Sequence, residues 1–329
     1  MPPLRVSSRR LRHMASPALA VLALLAATGA ACGSPSTDSD ETPVATPSVE
    51  DVIPILVSHE LTVGENRFVL GLQDRDNNLI LDAGVHLRFF KLKDGEGTLK
   101  AEADTFPVTV QESSVHQHED GTPHLHAGDE VGVYVTYVKF DEPGLWGVEV
   151  NATVEGRARE PTRVQFDVLE KASTPAVGDP APRTVQQTLR DVDDISEIDS
   201  SSPPRPAMHE LTIAEAIDSG RPTVVAFATP AFCQSRVCGP LMGSVVDPLF
   251  ERYGDRFNFV HVEPYVLGKA RQGEIVVVPT VEEWGLQTEP WLFIIDQQGR
   301  IAGKFEAIVA VKEVEQVLNR VLGEPTGEG

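Results

Sequence analysis

Residues 223–228 read Thr-Val-Val-Ala-Phe-Ala, a run with almost no polar interruption. It is short for a helix, and a run without alternation needs cover on both faces. It therefore predicts a strand inside a sheet, with other elements packed above and below it. The residues downstream of it narrow the choice further. Phe232 and Cys233 come first, and Cys238 lies five positions on. Leu241, Met242, Val245, Val246, Leu249, Phe250 and Tyr253 then recur at helical spacing. Pro248 falls inside that stretch and predicts a kink, because it lacks the N–H that would bond one turn back. A second buried strand is predicted over Phe257–Val262 and a third over Leu292–Ile295. A Gln297-Gln298-Gly299 turn, a last strand and an amphipathic helix carrying Val311, Val314, Val317, Leu318 and Val321 close the chain.

Upstream the pattern changes. From Ile53 to Leu169 short alternating runs, such as Arg67–Leu72, Val85–Phe90 and Val131–Val138, are separated by turn clusters at Asp74–Asn78 and Asp141–Gly144. Strand-length runs at this spacing predict an antiparallel β-sandwich. The stretch Val133–Val150, with Gly144-Leu145-Trp146-Gly147-Val148, looks like the closing hairpin of immunoglobulin-like accessory domains of exported bacterial proteins. Asp191–Pro206, acidic and rich in serine and proline, reads as a poorly ordered loop.

The N-terminus bears on location. Arg5, Arg9, Arg10 and Arg12 precede an apolar run from Ala15 to Ala27, then Thr28-Gly29-Ala30-Ala31 and Cys32. A basic segment, an apolar run too short to span a bilayer and small residues are the layout of a secretory signal. The cysteine after them resembles a bacterial lipobox, which implies that Cys32 carries a lipid anchor. Removing Cys32 from the three cysteines leaves Cys233 and Cys238, in a compartment that permits disulfides. Net charge is −21, and beyond residue 32 there are 24 basic against 49 acidic side chains. A chain this acidic repels phosphate backbones, so nucleic acid is not an expected partner.

Two segments carry a family resemblance. Val177-Gly178-Asp179-Pro180-Ala181-Pro182 resembles the start of thioredoxin-like domains of the peroxiredoxin and TlpA type. Over residues 209–323 the order of elements is similar to the thioredoxin superfamily, and Trp284-Gly285-Leu286-Gln287-Thr288-Glu289-Pro290 matches the stretch that ends in that family's cis-proline. The resemblance implies a cis Glu289–Pro290 bond facing the cysteines, with Cys233 attacking, Cys238 resolving and Pro290 positioning the substrate chain. Four residues separate the cysteines where the family has two. Positions five apart lie about 140° apart on a helix, so both cannot sit within one and bond. Pro240 as first helical residue would leave both in the loop. The family's buried acid has Ala226 in its place, which leaves Glu263, His261 or water to move the proton.

A third constellation is His116-Gln117-His118-Glu119-Asp120-Gly121-Thr122-Pro123-His124-Leu125-His126, four of the nine histidines in 11 residues. In strands, each His-x-His pair points to one face, and Asp120-Gly121 signals the turn between them. His116, His118, His124 and His126 would then suit a copper or zinc ion.

Together these readings predict a signal peptide (1–31), a disordered linker (32–52), an immunoglobulin-like all-β sandwich (53–170), a linker (171–208) and an α/β thioredoxin-like domain (209–323). The expected function is a membrane-tethered, extracytoplasmic thiol–disulfide oxidoreductase. It would act on exported protein thiols and disulfides with a membrane or extracytoplasmic redox partner, and would need no cofactor for the exchange itself. Two other readings stand beside it: a Sco-like copper or zinc chaperone or sensor using the histidine hairpin, and a thioredoxin-like interaction scaffold with an inert disulfide.

Overall fold

Alternation of buried and exposed side chains turns residues 53–168 into nine strands: β1 (Ile53–Leu56), β2 (Gly64–Gln73), β3 (Gly84–Lys93), β4 (Glu96–Asp104), β5 (Phe106–Gln117), β6 (Pro123–Phe140), β7 (Gly144–Val154), β8 (Arg157–Ala158) and β9 (Thr162–Val168). The computed structural model describes residues 52–117, 123–233 and 237–325. One sheet has the order β1-β2-β6-β5; in the other, β4-β3-β7 continues to β8 and β9, both paired with β7. The sheets share one apolar cluster that includes Phe68, Leu70, Leu87, Phe89, Phe140, Trp146, Val148 and Phe166. Phe68 meets Phe89 edge-on at 5.0 Å, and Phe140 meets Trp146 at 4.9 Å. Each such buried ring contributes about 1.5–3 kcal/mol by removal from water. The β3–β4 connection is Asp94-Gly95 with φ of 52° and 84°, the two left-handed residues that a tight hairpin turn requires.

The second half builds a third sheet, ordered β11-β10-β12-β13, from β10 (Thr223–Phe227), β11 (Asn258–Val262), β12 (Trp291–Ile295) and β13 (Ile301–Glu306). β10 runs parallel to β11 and antiparallel to β12, and β12 is antiparallel to β13. Every residue of β10 and β12 is buried, as their unbroken apolar runs demand. The helices are α1 (Ile213–Asp218), α2 (Cys238–Leu241), α3 (Asp247–Tyr253), α4 (Leu267–Ala270), α5 (Pro279–Glu283) and α6 (Val311–Leu322). α2 and α3 are joined by a π turn over Met242–Val246. Pro248 lies two residues beyond the turn, after Asp247, and removes one backbone donor from the ladder there, so the expected kink takes the form of a widened turn. The helix also starts earlier than expected, at Cys238 rather than Pro240.

The balance of elements overturns the fold class expected from the sequence. The chain is mostly β, with 38% strand against 19% helix, and an α/β thioredoxin-like C-terminal domain is not evident. Apart from α6 and the continuous run from α2 through the π turn to α3, the helices have only four to six residues. Breakers explain this: Pro264, Gly273, Pro279 and Gly285 confine the stretch between β11 and β12 to α4 and α5. Ser48–Gly329 forms one compact unit. Within it, Val69, Val108, Val110, Val133 and Val135 of the first sheet cluster with Val237 and Ile308. Beside that cluster the Arg67 guanidinium is bonded to Glu313 of α6, Nε to Oε1 at 2.8 Å and Nη2 to Oε2 at 3.0 Å.

The loop expected to be poorly ordered is tied down. A 3₁₀ turn at Ile195–Glu197 is closed by an Asp194 capping box, and Asp199 is 2% exposed. Its carboxylate accepts from the amides of Ser201 and Arg205, each at 2.8 Å. Composition missed this because one buried acid organises the segment. The signal peptide, Cys32, most of the 32–52 linker and His118 lie outside the described residues. Among the described residues no helix is long and apolar enough to cross a membrane.

Candidate functional site

Cys233 follows the end of β10 by six positions, and Cys238 opens α2; the two form a disulfide with Cα atoms 5.9 Å apart. Their environments differ. Cys238 is fully buried, whereas Cys233 is only partly so. The Cys238 amide donates to Cys233 Sγ at 3.2 Å. That donor belongs to the first turn of a helix, where N–H groups have no partner one turn back, so it favours a thiolate on Cys233 once the bond is reduced. Gln234, Ser235 and Arg236 lie outside the described residues.

Facing the pair is the segment before β12. Glu289–Pro290 is a cis peptide, and a Glu289 carboxylate oxygen lies within 4.8 Å of both sulfurs. The Tyr265 hydroxyl donates to Glu289 Oε2 at 2.9 Å. Burial, together with that acceptor, raises the Tyr265 hydroxyl above its usual range, so it stays a donor. The structure thus brings Cys233, Cys238 and the residue before Pro290 together. Sequence reasoning assigned Glu289 no role, although its place before that proline was the available signal. Two reduced sulfurs and this carboxylate also have the donor types of a metal site.

Ala226 is buried in β10 as an apolar core residue. Of the proton carriers considered in its place, Glu263 is 6% exposed. Burial raises its carboxyl above the usual range, against His261 and the Ser200 hydrogen bond. Its Oε1 accepts from the Ser200 amide at 2.7 Å, and Ser200 Oγ accepts from the amide of Ala231, two residues before Cys233.

His261 lies elsewhere than the disulfide, in a second cluster. Asp199, His209 and His261 are 2%, 2% and 1% exposed. His209 Nε2 lies 3.2 Å from Asp199 Oδ2, and His261 Nδ1 lies 3.7 Å from Asp199 Oδ1. Burial resists charge on Asp199, but the close approach of His209 and His261 and the two loop amides outweigh it and hold the carboxyl far below its usual range. Burial pushes His209 down, against the pull of Asp199. Sequence reasoning missed Asp199 and His209, since residues 199, 209 and 261 meet only through the fold.

For the histidine hairpin, the backbone register pairs His116 with His124 and Ser114 with His126 across β5 and β6. The disulfide is present, then, and among the described residues metal-compatible side-chain groups exist at two places. No family model and no curated protein matches this chain.

Proposed function

We propose that the chain is an extracytoplasmic thiol–disulfide oxidoreductase working through Cys233 and Cys238. The observation that carries this reading is the asymmetry of the pair: an accessible sulfur on a helix N–H, a buried partner, and a carboxylate within reach of both. A substrate thiolate would attack Cys233 Sγ, forming a mixed disulfide as the Cys233–Cys238 bond breaks. The pair of electrons leaves on Cys238 Sγ, which takes a proton from Glu289 or its surroundings. A second substrate thiolate then attacks its own sulfur in the mixed disulfide. The substrate is thereby oxidised to a disulfide and the protein reduced to the dithiol. Run in reverse, the same steps reduce a substrate disulfide, with Cys233 attacking and Cys238 resolving after Glu289 accepts its proton. Pro290, beside Glu289, would line the place where the substrate chain lies.

The test is trapping. Cys238→Ala should hold exported proteins as mixed disulfides on Cys233, and Cys233→Ala should hold none. Equal, slow alkylation of both reduced thiols, with a potential below about −300 mV, would mark an inert staple instead. The export signal and the Cys32 anchor belong to this reading. Mass spectrometry of the membrane fraction should find a lipid-modified peptide beginning at Cys32.

A second reading, a copper- or zinc-binding hairpin of His116, His118, His124 and His126, is favoured by the His116–His124 register. Calorimetry with Cu(II) and Zn(II) on the protein and on a His118→Asn/His124→Asn variant tests it.

A further inference from the structure

The geometry points to a binding site for one divalent transition-metal ion of the zinc class, held by Asp199, His209 and His261 and separate from the disulfide. Three observations converge on it. The first is the orientation of His261. Its Nε2 lies 2.9 Å from the carbonyl oxygen of Ala228. A carbonyl can only accept, so Nε2 carries the proton, and in the neutral ring Nδ1 is left as a lone pair. Fixing a ligating imidazole through a hydrogen bond from its other nitrogen is how proteins prepare a histidine for a metal.

The second observation is how the carboxylate is held. The amides of Ser201 and Arg205 each take one lone pair, on Oδ1 and Oδ2 respectively. Each oxygen keeps another for a further partner. The two nitrogens facing it, His209 Nε2 and His261 Nδ1, are buried and complete no hydrogen bond. Buried polar atoms without a partner are rare enough in native proteins to call for an explanation.

The third is spacing. At 3.7 Å, His261 Nδ1 and Asp199 Oδ1 are too far apart to hydrogen-bond. Two donors bound at about 2.1 Å to one ion lie about 3.0–3.7 Å apart for angles between about 90° and 125°. The 3.2 Å and 3.7 Å separations both fall in that interval. Two imidazoles and one carboxylate are a borderline donor set that suits zinc, and three protein ligands leave a fourth position open. A pocket of about 510 Å³ has His209, His261, Glu263 and Tyr265 among its lining residues. The ion would fasten the 199–209 segment to β11, and through Ser200 to Ala231 before the cysteines.

The alternative is a metal-free Asp–His tether that holds the same loop. The full chain is the material for the test, oxidised so that the sulfurs are bonded. His116→Asn, His118→Asn, His124→Asn and His126→Asn remove the hairpin as a competitor. After chelation and desalting, Co(II) should bind at one per chain, with the visible absorption of nitrogen- and oxygen-coordinated cobalt, and Zn(II) should displace it. Asp199→Asn and His209→Gln should each weaken binding by tenfold or more. If either fails to fold, imidazole NMR of the hairpin-substituted chain decides: equimolar Zn(II) should move the His209 and His261 resonances and leave those of His59 and His86 in place. Retained cobalt in the folded variants, no cobalt after desalting, or unmoved His209 and His261 resonances would each overturn the site.

Discussion

Replacing Arg67 by methionine should destabilise the protein by about 3–5 kcal/mol, the cost of removing one partner from a buried ion pair. Both side chains are nearly closed to solvent, 8% and 7% exposed. Arg67 makes two bonds to the Glu313 carboxylate and a third, at 2.8 Å, to the Ile308 carbonyl. Without it the carboxylate keeps only the Tyr137 hydroxyl at 2.8 Å and the Ala310 amide at 3.0 Å. Adding Glu313→Leu to Arg67→Met removes the stranded charge, and the double variant should recover all but about 1–2 kcal/mol, part of it the lost cap on α6. The second substitution thus restores about 2–3 kcal/mol of what the first removes, and the coupling is that recovery plus the cost of Glu313→Leu alone. The pH dependence follows from Glu313. Burial raises its carboxyl, but Arg67 and the other donors prevail and hold it below the usual range. A depressed folded-state value means stability that is present above the unfolded value, near pH 4.3, and lost as pH falls through the folded one. The gap between wild type and Arg67→Met should therefore narrow on acidification. Urea unfolding at neutral pH and near pH 4, with unchanged m-values, measures each quantity. Single costs that sum to the double's within about 0.5 kcal/mol would refute the reasoning.

Three further outcomes are expected. Glu289→Gln should slow disulfide exchange by about 100-fold near neutral pH without slowing alkylation of reduced Cys233; stopped-flow exchange rates and thiol labelling separate the two. Gly285→Ala should cost about 2–4 kcal/mol, because Gly285 sits at φ +63° with the Ser173 carbonyl against the place its Cβ would occupy; thermal unfolding checks it. Phe89→Ala should cost about 3–5 kcal/mol, since Phe89 is fully buried between the Phe68 and Phe140 rings, read by the same unfolding assay.

Where side-chain pattern alone decides local structure, the sequence was readable. The runs around Val224, Val260 and Phe293 are strands because nothing else buries both faces of so short a segment. The proline at 248 acted where it stands, though as a π turn. The fold class was misjudged because the stretches with helical spacing, over residues 241–253 and 311–321, are helical but are outweighed by strand. Prolines and glycines leave only α4 and α5 between β11 and β12. Within the site, the two cysteines announced themselves by type. Glu289 did not, because a surface-type residue acquires its role only from what the fold sets opposite it. Asp199 and His209 were hidden further, in a stretch whose composition reads as solvent-loving, until one carboxylate gathers two amides and two imidazoles.

Val237 precedes the buried cysteine and belongs to the valine cluster of the first sheet. The strands of the first half therefore stand as a wall behind Cys238, and chain that would reach its sulfur from that side meets packed side chains. In the proposed exchange, a substrate would arrive from the Cys233 side. The order in which the two sulfurs react would then be written partly into a sheet whose own residues take no part in the chemistry.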